Sequence, residues 1–167
     1  MTITIRPAVP EDGEVLSDLL AASYRNLEEG GHYDPRVLAD ALPLLSRANP
    51  KLLASGTYYV AESGGEPAAC GGWTVEKPGT GEVIEGVAHI RHFATHPSHL
   101  RKGLARLLLD RCIAEAEAAG MRLMRSQATL PAVPFYAAAG FQRLGPIKVE
   151  MGPGVVLPAV DMERPLR

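Results

Sequence analysis

HIRHFATHPSHLRKGLARLLL, residues 89–109, changes character twice along its length. It begins with extended character, is interrupted by Pro97, and resumes after Gly103 as an apolar-periodic helix reaching Ala119. A strand running through a short turn into a helix start presents backbone N–H groups that have no partner within the helix, which is a natural place for an anion. Arg101, Lys102 and Arg106 crowd that helix start while Glu115 and Glu117 lie near its end. This is the reverse of what the helix macrodipole favours. Two readings are open at this level: an anion site, or good helix formers on a solvated face at a cost of about a few tenths of a kcal/mol.

The rest of the chain limits what such an anion can be. With 167 residues, 46% hydrophobic and 22% charged, the sequence suits one domain spanning residues 1–167. A net charge of −2 provides no global basic field for nucleic acid, so the basic cluster is local and fits a small ligand. Two cysteines, Cys70 and Cys112, cannot build a disulfide framework and are expected to be inert. The opening residues carry no apolar signal region, and no window has the length of a membrane span, so a cytoplasmic location without membrane partners is expected.

In chain order, Thr2–Arg6 reads as a strand closed by Pro7 and Pro10. Val15, Leu16, Leu19, Leu20, Tyr24 and Leu27 then share a helical face, and Gly30–Gly31 is the expected stop. Asp34 before Pro35 is an N-cap, Val37, Leu38, Ala41, Leu42 and Leu45 continue the helical pattern, and Pro43 is expected to break or kink it. Asn49–Pro50 starts one more turn. Residues 57–62 and 68–75 form a hairpin in which Gly71 and Gly72 mark a bulge, and 77–86 is an exposed loop with no assigned role.

Residues 87–95 are the central strand, followed by a helix with Leu104, Leu107, Leu108, Cys112, Ala116 and Ala119 on one face and Gly120 as its stop. A strand over 121–128, a short helix over 132–139 and a hairpin from 142–151 and 155–162 complete the chain. Hairpins followed by a strand–helix–strand unit define an α/β class with a mixed sheet.

Several of these motifs, in this order, resemble the GNAT superfamily of N-acetyltransferases. Residues 5–8, IRPA, with Asp12 are similar to that family's opening. THP at 95–97 and LRKGLA at 100–105 resemble its pyrophosphate-binding motif, with Leu100 standing where the family has Arg or Gln. FYAAAGF at 135–141 resembles its late tyrosine-bearing helix, while Thr129 stands where many members have Asn. The resemblance implies a mostly antiparallel central sheet flanked by helices, with a splayed parallel strand pair holding the pantetheine arm of acetyl-CoA. The cosubstrate would be held by Phe93, Ala94 and Thr95 and by Arg101, Lys102, Gly103, Leu104, Ala105 and Arg106. A homodimer is also common in the family.

By the same resemblance, the activity implied is transfer of an acetyl group to a primary amine of a small molecule or protein, by direct attack in a ternary complex. Tyr136 matches the general acid. His89 lies four residues before Phe93, where part of the family places a base, and strand alternation would direct both to one side. His92 is a second candidate if a bulge shifts the parity, and ordered water a third. His92, His96 and His99 would converge on a metal only if they shared a helix; the strand and Pro97 make them diverge, so no metal is expected. Tyr24, His32, Tyr33 and Trp73 are the candidate acceptor-side residues. The competing reading is a non-catalytic acyl-CoA-binding sensor or interaction module.

Overall fold

A computed structural model describes residues 2–167. Its strands are β1 (Ile3–Pro7), β2 (Tyr58–Ser63), β3 (Glu66–Thr74), β4 (Val87–Thr95), β5 (Leu123–Ala128), β6 (Gln142–Gly152) and β7 (Val155–Pro165). They form one sheet in the order β1-β2-β3-β4-β5-β7-β6. Its helices are α1 (Gly13–Arg25), α2 (Pro35–Leu45), α3 (Pro50–Leu53), α4 (Leu104–Ala118) and α5 (Val133–Ala138). Every neighbouring strand pair is antiparallel except β4 and β5, which are joined by the α4 crossover and run parallel. The expected mixed, mostly antiparallel sheet is the one observed. Among the described residues no helix is long and apolar enough to cross a membrane.

Periodicity explains the helices, with two offsets. Leu16, Leu19, Leu20 and Tyr24 of α1 are buried, whereas Val15 points outward at 41% exposure. The α-helix ends at Arg25, before Gly30–Gly31, and a single 3-10 turn over Asn26–Glu28 buries Leu27. Asp34 caps α2 as its position before Pro35 dictates, its Oδ1 accepting the Arg36 N–H at 2.8 Å. Pro43 does not break α2, which runs on to Leu45; in the last turn it removes only the bond to the carbonyl four residues earlier. In α4 the buried arc is Leu104, Leu108, Leu109, Cys112, Ile113 and Ala116, and Leu107 lies outside it at 45% exposure.

The sheet separates two bodies of core. Leu16, Leu20, Tyr24, Leu38, Tyr58, Val60, Cys70 and Leu157 pack on the α1 and α2 side. Leu109, Cys112, Met124, Tyr136, Phe141 and Met162 pack on the α4 and α5 side. Glu115, against the dipole near the end of α4, has a structural use: it accepts from Tyr59 Oη at 2.5 Å and Trp73 Nε1 at 3.0 Å and meets Arg111 at 3.3 Å.

The glycine pair in β3 does mark a bulge, but the extra residue belongs to β4. Cys70 pairs with Ala94 and Gly72 with Arg91, two steps on one strand against three on the other. His92 takes up the difference with φ of 53°, a left-handed conformation that is uncommon for any residue but glycine. Gly71 lies opposite it, where a Cβ would stand 2.5 Å from the Phe93 ring.

The Arg6–Asp12 pair ties β1 to the start of α1. Arg6 Nη1 and Nη2 donate to the two Asp12 oxygens at 2.8 and 2.9 Å, and Val9 N–H adds a bond at 2.8 Å. The hydrogen bond from Arg6 holds the Asp12 carboxyl below its usual range. A depressed folded-state pKa means the stabilisation is complete above the unfolded carboxylate value and is lost as pH falls through the folded one. Acid unfolding of the wild type should therefore include a component that Asp12→Asn lacks, while at neutral pH Asp12→Asn should cost about 1–3 kcal/mol in urea titration.

Candidate active site

The site comes from the way β4 and β5 part. They stay in register only through Val87↔Leu123, Ala88↔Met124 and His89↔Arg125. The Gly86 carbonyl, accepting from the Arg122 and Leu123 N–H groups at 2.7 and 3.1 Å, pins the two strands at their starts. Beyond His89 they diverge around a cleft of about 580 Å³ whose walls include Arg91–Thr95, Ser126–Thr129, Ser23 and Tyr24 of α1, Ala105 of α4, and Phe135 and Tyr136 of α5.

The bulge determines which groups face this cleft. Ala94 pairs with Cys70, and His96 N–H donates to the Ala68 carbonyl at 2.8 Å, so these residues bond to β3. Alternation then turns the backbone groups of Phe93 and Thr95 away from β3 and toward the gap. There the Phe93 carbonyl accepts from Tyr24 Oη at 2.8 Å, and Thr95 N–H donates to Ser23 Oγ at 3.2 Å. The side chains separate as well. Phe93 lies on the α5 side, edge-on to Tyr136 at 6.5 Å, while His92 stacks on Tyr24 at 5.7 Å and shares a 2.8 Å hydrogen bond between Nε2 and the Leu45 carbonyl.

The expectation that His89 and Phe93 share a face is thus overturned, because the inserted residue reverses the parity between them. His89 lines a separate, smaller cavity at the root of the splay rather than the large cleft. Burial, then the nearby cations Arg91, Lys77 and Arg125, hold its ring below the usual imidazole range. Burial likewise lowers His92.

Tyr136 is buried among Phe93, Phe135 and Phe141, with ring centroids 5.0 and 5.4 Å from the last two. Its phenol meets the Ser126 hydroxyl, and burial raises its pKa above the ordinary tyrosine value despite that bond. It therefore remains a proton donor across the physiological range.

At the other end of the cleft, α4 begins at Leu104 with no side-chain cap. Arg101 at φ 63° and Gly103 at φ 75° form the turn into it, and Ala105 in its first turn faces the cleft. Arg101 and Lys102 are exposed, Lys102 Nζ lying 3.0 Å from His99 Nδ1. Arg106 is turned along its own helix, donating to Asp110 at 2.9 Å and to the Ala138 carbonyl at 3.4 Å. Leu100 lines the mouth, half exposed.

Of the four candidate acceptor residues only Tyr24 lines the cleft. Tyr33 is used in the fold, donating to the Pro158 carbonyl at 2.7 Å and accepting from the Leu130 N–H at 2.9 Å. Trp73 is turned to Glu115 beneath α4, and His32 is exposed outside the cleft. Ser23, Arg91 and Ser126, which carry no sequence motif, also line the cleft, and the exposed 77–86 loop contributes Pro78 to its wall. Period-two spacing from Ala128 marks Ser126 as inward-facing; nothing in the sequence marks Ser23 or Pro78. Among the described residues no group of three or more His, Cys, Asp or Glu side chains is placed to hold a metal.

Comparison with known proteins agrees with this geometry. Among curated proteins, none matches the sequence significantly. A GCN5-related N-acetyltransferase structure from Rhodopseudomonas palustris is similar with a TM-score of 0.76 and 21% identity over 99% of this chain and 97% of that one. The PaiA N-acetyltransferase of Thermoplasma acidophilum, solved with coenzyme A, gives 0.70 and 18% over 99% of each chain. YncA, described as a putative acetyltransferase from Salmonella typhimurium and solved with acetyl-CoA, gives 0.63 and 20% over 100% of this chain and 95% of that one. At these identities the structures establish the shared fold. The model of the acetyltransferase (GNAT) domain matches residues 54–143, just over half of the sequence and the part that carries β4, α4, β5 and α5. The chain belongs to the GNAT acetyltransferase family.

Proposed function

We propose that this protein transfers the acetyl group of acetyl-CoA to a primary amine by direct attack in a ternary complex. The observation that carries the reading is the continuity of the cleft, from the uncapped start of α4, past the cleft-facing backbone of Phe93 and Thr95, to the Tyr136 phenol. Acetyl-CoA, as cosubstrate, supplies the activated thioester. The free N–H groups of Leu104, Ala105 and Arg106, with Arg101 and Lys102 beside them, suit its pyrophosphate. The Phe93 and Thr95 backbone suits an amide-bearing arm, which would take over bonds now made by Tyr24 and Ser23.

Ala94 turns to β3, so Phe93 N–H is the donor assigned to the thioester oxygen. As the C–N bond forms and the C–S bond breaks, Tyr136 gives its proton to the departing sulfur. The amine proton passes to cleft water, because His92 Nε2 is engaged with the Leu45 carbonyl and His89 lies outside the large cleft. A panel of primary amines with detection of released thiol tests this reading. Cys70 and Cys112 are buried, the Cys70 thiol pushed up to about 12 mainly by burial, so the folded protein adds little background. Thiol release no faster than hydrolysis with every amine, alongside saturable stabilisation by CoA, would favour the binding-module reading, for which Leu100 at the usual Arg/Gln position is the motive.

Ala105→Glu separates cosubstrate binding from stability. A carboxylate in the first turn of α4 suits the helix dipole, so Tm should hold or rise slightly. The same charge would face the pyrophosphate, and the Kd for CoA, read by calorimetry, should rise about 10-fold or more.

A further inference from the structure

The smaller cavity, at the root of the splay, is polar and belongs to no part of the acetyl-transfer machinery described above. It measures about 190 Å³ and shares Pro78, Ile90, Ser126 and Gln127 with the wall of the large cleft, so the two adjoin. Its charged lining is Lys77, Arg125 and Lys148 against the single carboxylate of Asp161. His89, 5% exposed, also lines it.

Two buried nitrogens here, His89 Nε2 and Arg125 Nε, have no hydrogen-bond partner among the described residues. Buried polar atoms are normally satisfied, and each one left alone costs about 1–3 kcal/mol. Arg125 is only loosely held on its other side, with Nη2 3.4 Å from Asp161 and 3.5 Å from Glu163. His89 and Arg125 face each other across the last register pair before the strands part. Arg125 Nε–H, and His89 in its Nε2–H tautomer, are two unmatched donors in an excess of positive charge, the complement of an oxyanion with two or more oxygens.

We infer that the acceptor amine carries an anionic group, a carboxylate or a phosphate, and that this group seats in the cavity between His89 and Arg125. The inference rests on the acetyl-transfer reading and names the class of its acceptor. Three steps along β4 lead from His89 to the bulge at His92, next to the Phe93 N–H assigned to the thioester, so amine and anion must stand about 10 Å or more apart at an extended rise of about 3.3 Å per residue. An α-amino acid acetylated on its own α-nitrogen is too short for this. An amine at the far end of a flexible chain fits.

The test uses the full-length protein with saturating acetyl-CoA and thiol release as readout. The acceptors are ω-aminoalkanoates of increasing length, their neutral primary amides, and the matching ω-aminoalkyl phosphates. At the best length an anionic acceptor should exceed its amide in kcat/KM by about 10-fold or more, and whether the carboxylate or the phosphate leads identifies the anion. Arg125→Gln and the exposed Lys148→Gln, each first checked for Tm, should drive that ratio toward one. His89→Gln should do the same, chiefly through KM. Amides used as well as anions at every length, or a ratio unmoved in all three variants, would overturn the inference and leave acetyl transfer standing. An equal fall in kcat for both acceptors in His89→Gln would assign that ring to proton removal instead of anion binding, and would also overturn it. Absence of turnover with every amine, while CoA still binds, would overturn the transfer reading itself and this inference with it.

Discussion

Tyr136→Phe should lower kcat by about 10²-fold or more while leaving the Kd for CoA within about 2-fold of wild type. The substitution removes one oxygen and leaves the ring, so the edge contacts with Phe93, Phe135 and Phe141 persist. Ser126 loses a hydroxyl partner in a buried place, worth about 1 kcal/mol, which is too little to unfold the domain. The loss should therefore appear in the chemical step, with thiol release measured at saturating acetyl-CoA and acceptor. Because burial raises the phenol above the tyrosine range, the wild-type rate should show no alkaline decline from Tyr136 until pH passes that range. Unchanged turnover in Tyr136→Phe would remove this residue from the mechanism.

Gly72→Ala is expected to be the most damaging small substitution for stability. A Cβ at Gly72 would stand 2.3 Å from the Thr57 carbonyl oxygen and 2.6 Å from Tyr58 Cα, both backbone atoms at the start of the neighbouring strand. Backbone cannot rotate aside as a side chain can, so β2 and β3 must separate locally. The bonds at risk are Trp73 N–H to the Thr57 carbonyl at 3.1 Å and Thr57 Oγ1 to the Trp73 carbonyl at 2.5 Å. A loss of about 3 kcal/mol, or roughly 6–12 °C in Tm, follows for a chain of this size. Gly71→Ala makes the instructive contrast. The three atoms nearest its Cβ would all belong to the Phe93 ring, a side chain rather than backbone. Its Tm should fall less than that of Gly72→Ala, and its affinity for CoA should fall more.

The pairing of these two glycines shows what the sequence revealed and what it did not. Gly71–Gly72 announced an irregularity in β3, and period and caps located α2, β4, α4 and β5 closely, because apolar spacing and residues such as Asp34, Gly103 and Gly120 act through local geometry. Which strand carried the extra residue was not legible. His92 adopts a positive φ through tertiary constraint, with its ring held by Tyr24 and Leu45, and no local signal marks it. That single residue decides that His89 and Phe93 lie on opposite faces. Trp73, expected on the acceptor side, is turned the other way by Glu115, forty-two positions later in the chain. Pairwise contacts between distant residues of this kind leave no periodic trace. The same holds for Ser23 on Thr95.

The outer margin of the sheet carries a separate consequence. β6 is the terminal strand, eleven residues long, and a strand of that length with a free row of backbone donors and acceptors invites pairing with a neighbouring molecule. Its register breaks between Arg143 and Gly145 and again between Glu150 and Gly152, Pro146 offers no N–H, and Lys148 and Glu150 are exposed. At the opposite margin β1 is only five residues and ends in Pro7. Neither rim presents a long flat template, so the protein should resist edge-to-edge aggregation without a covering helix or partner.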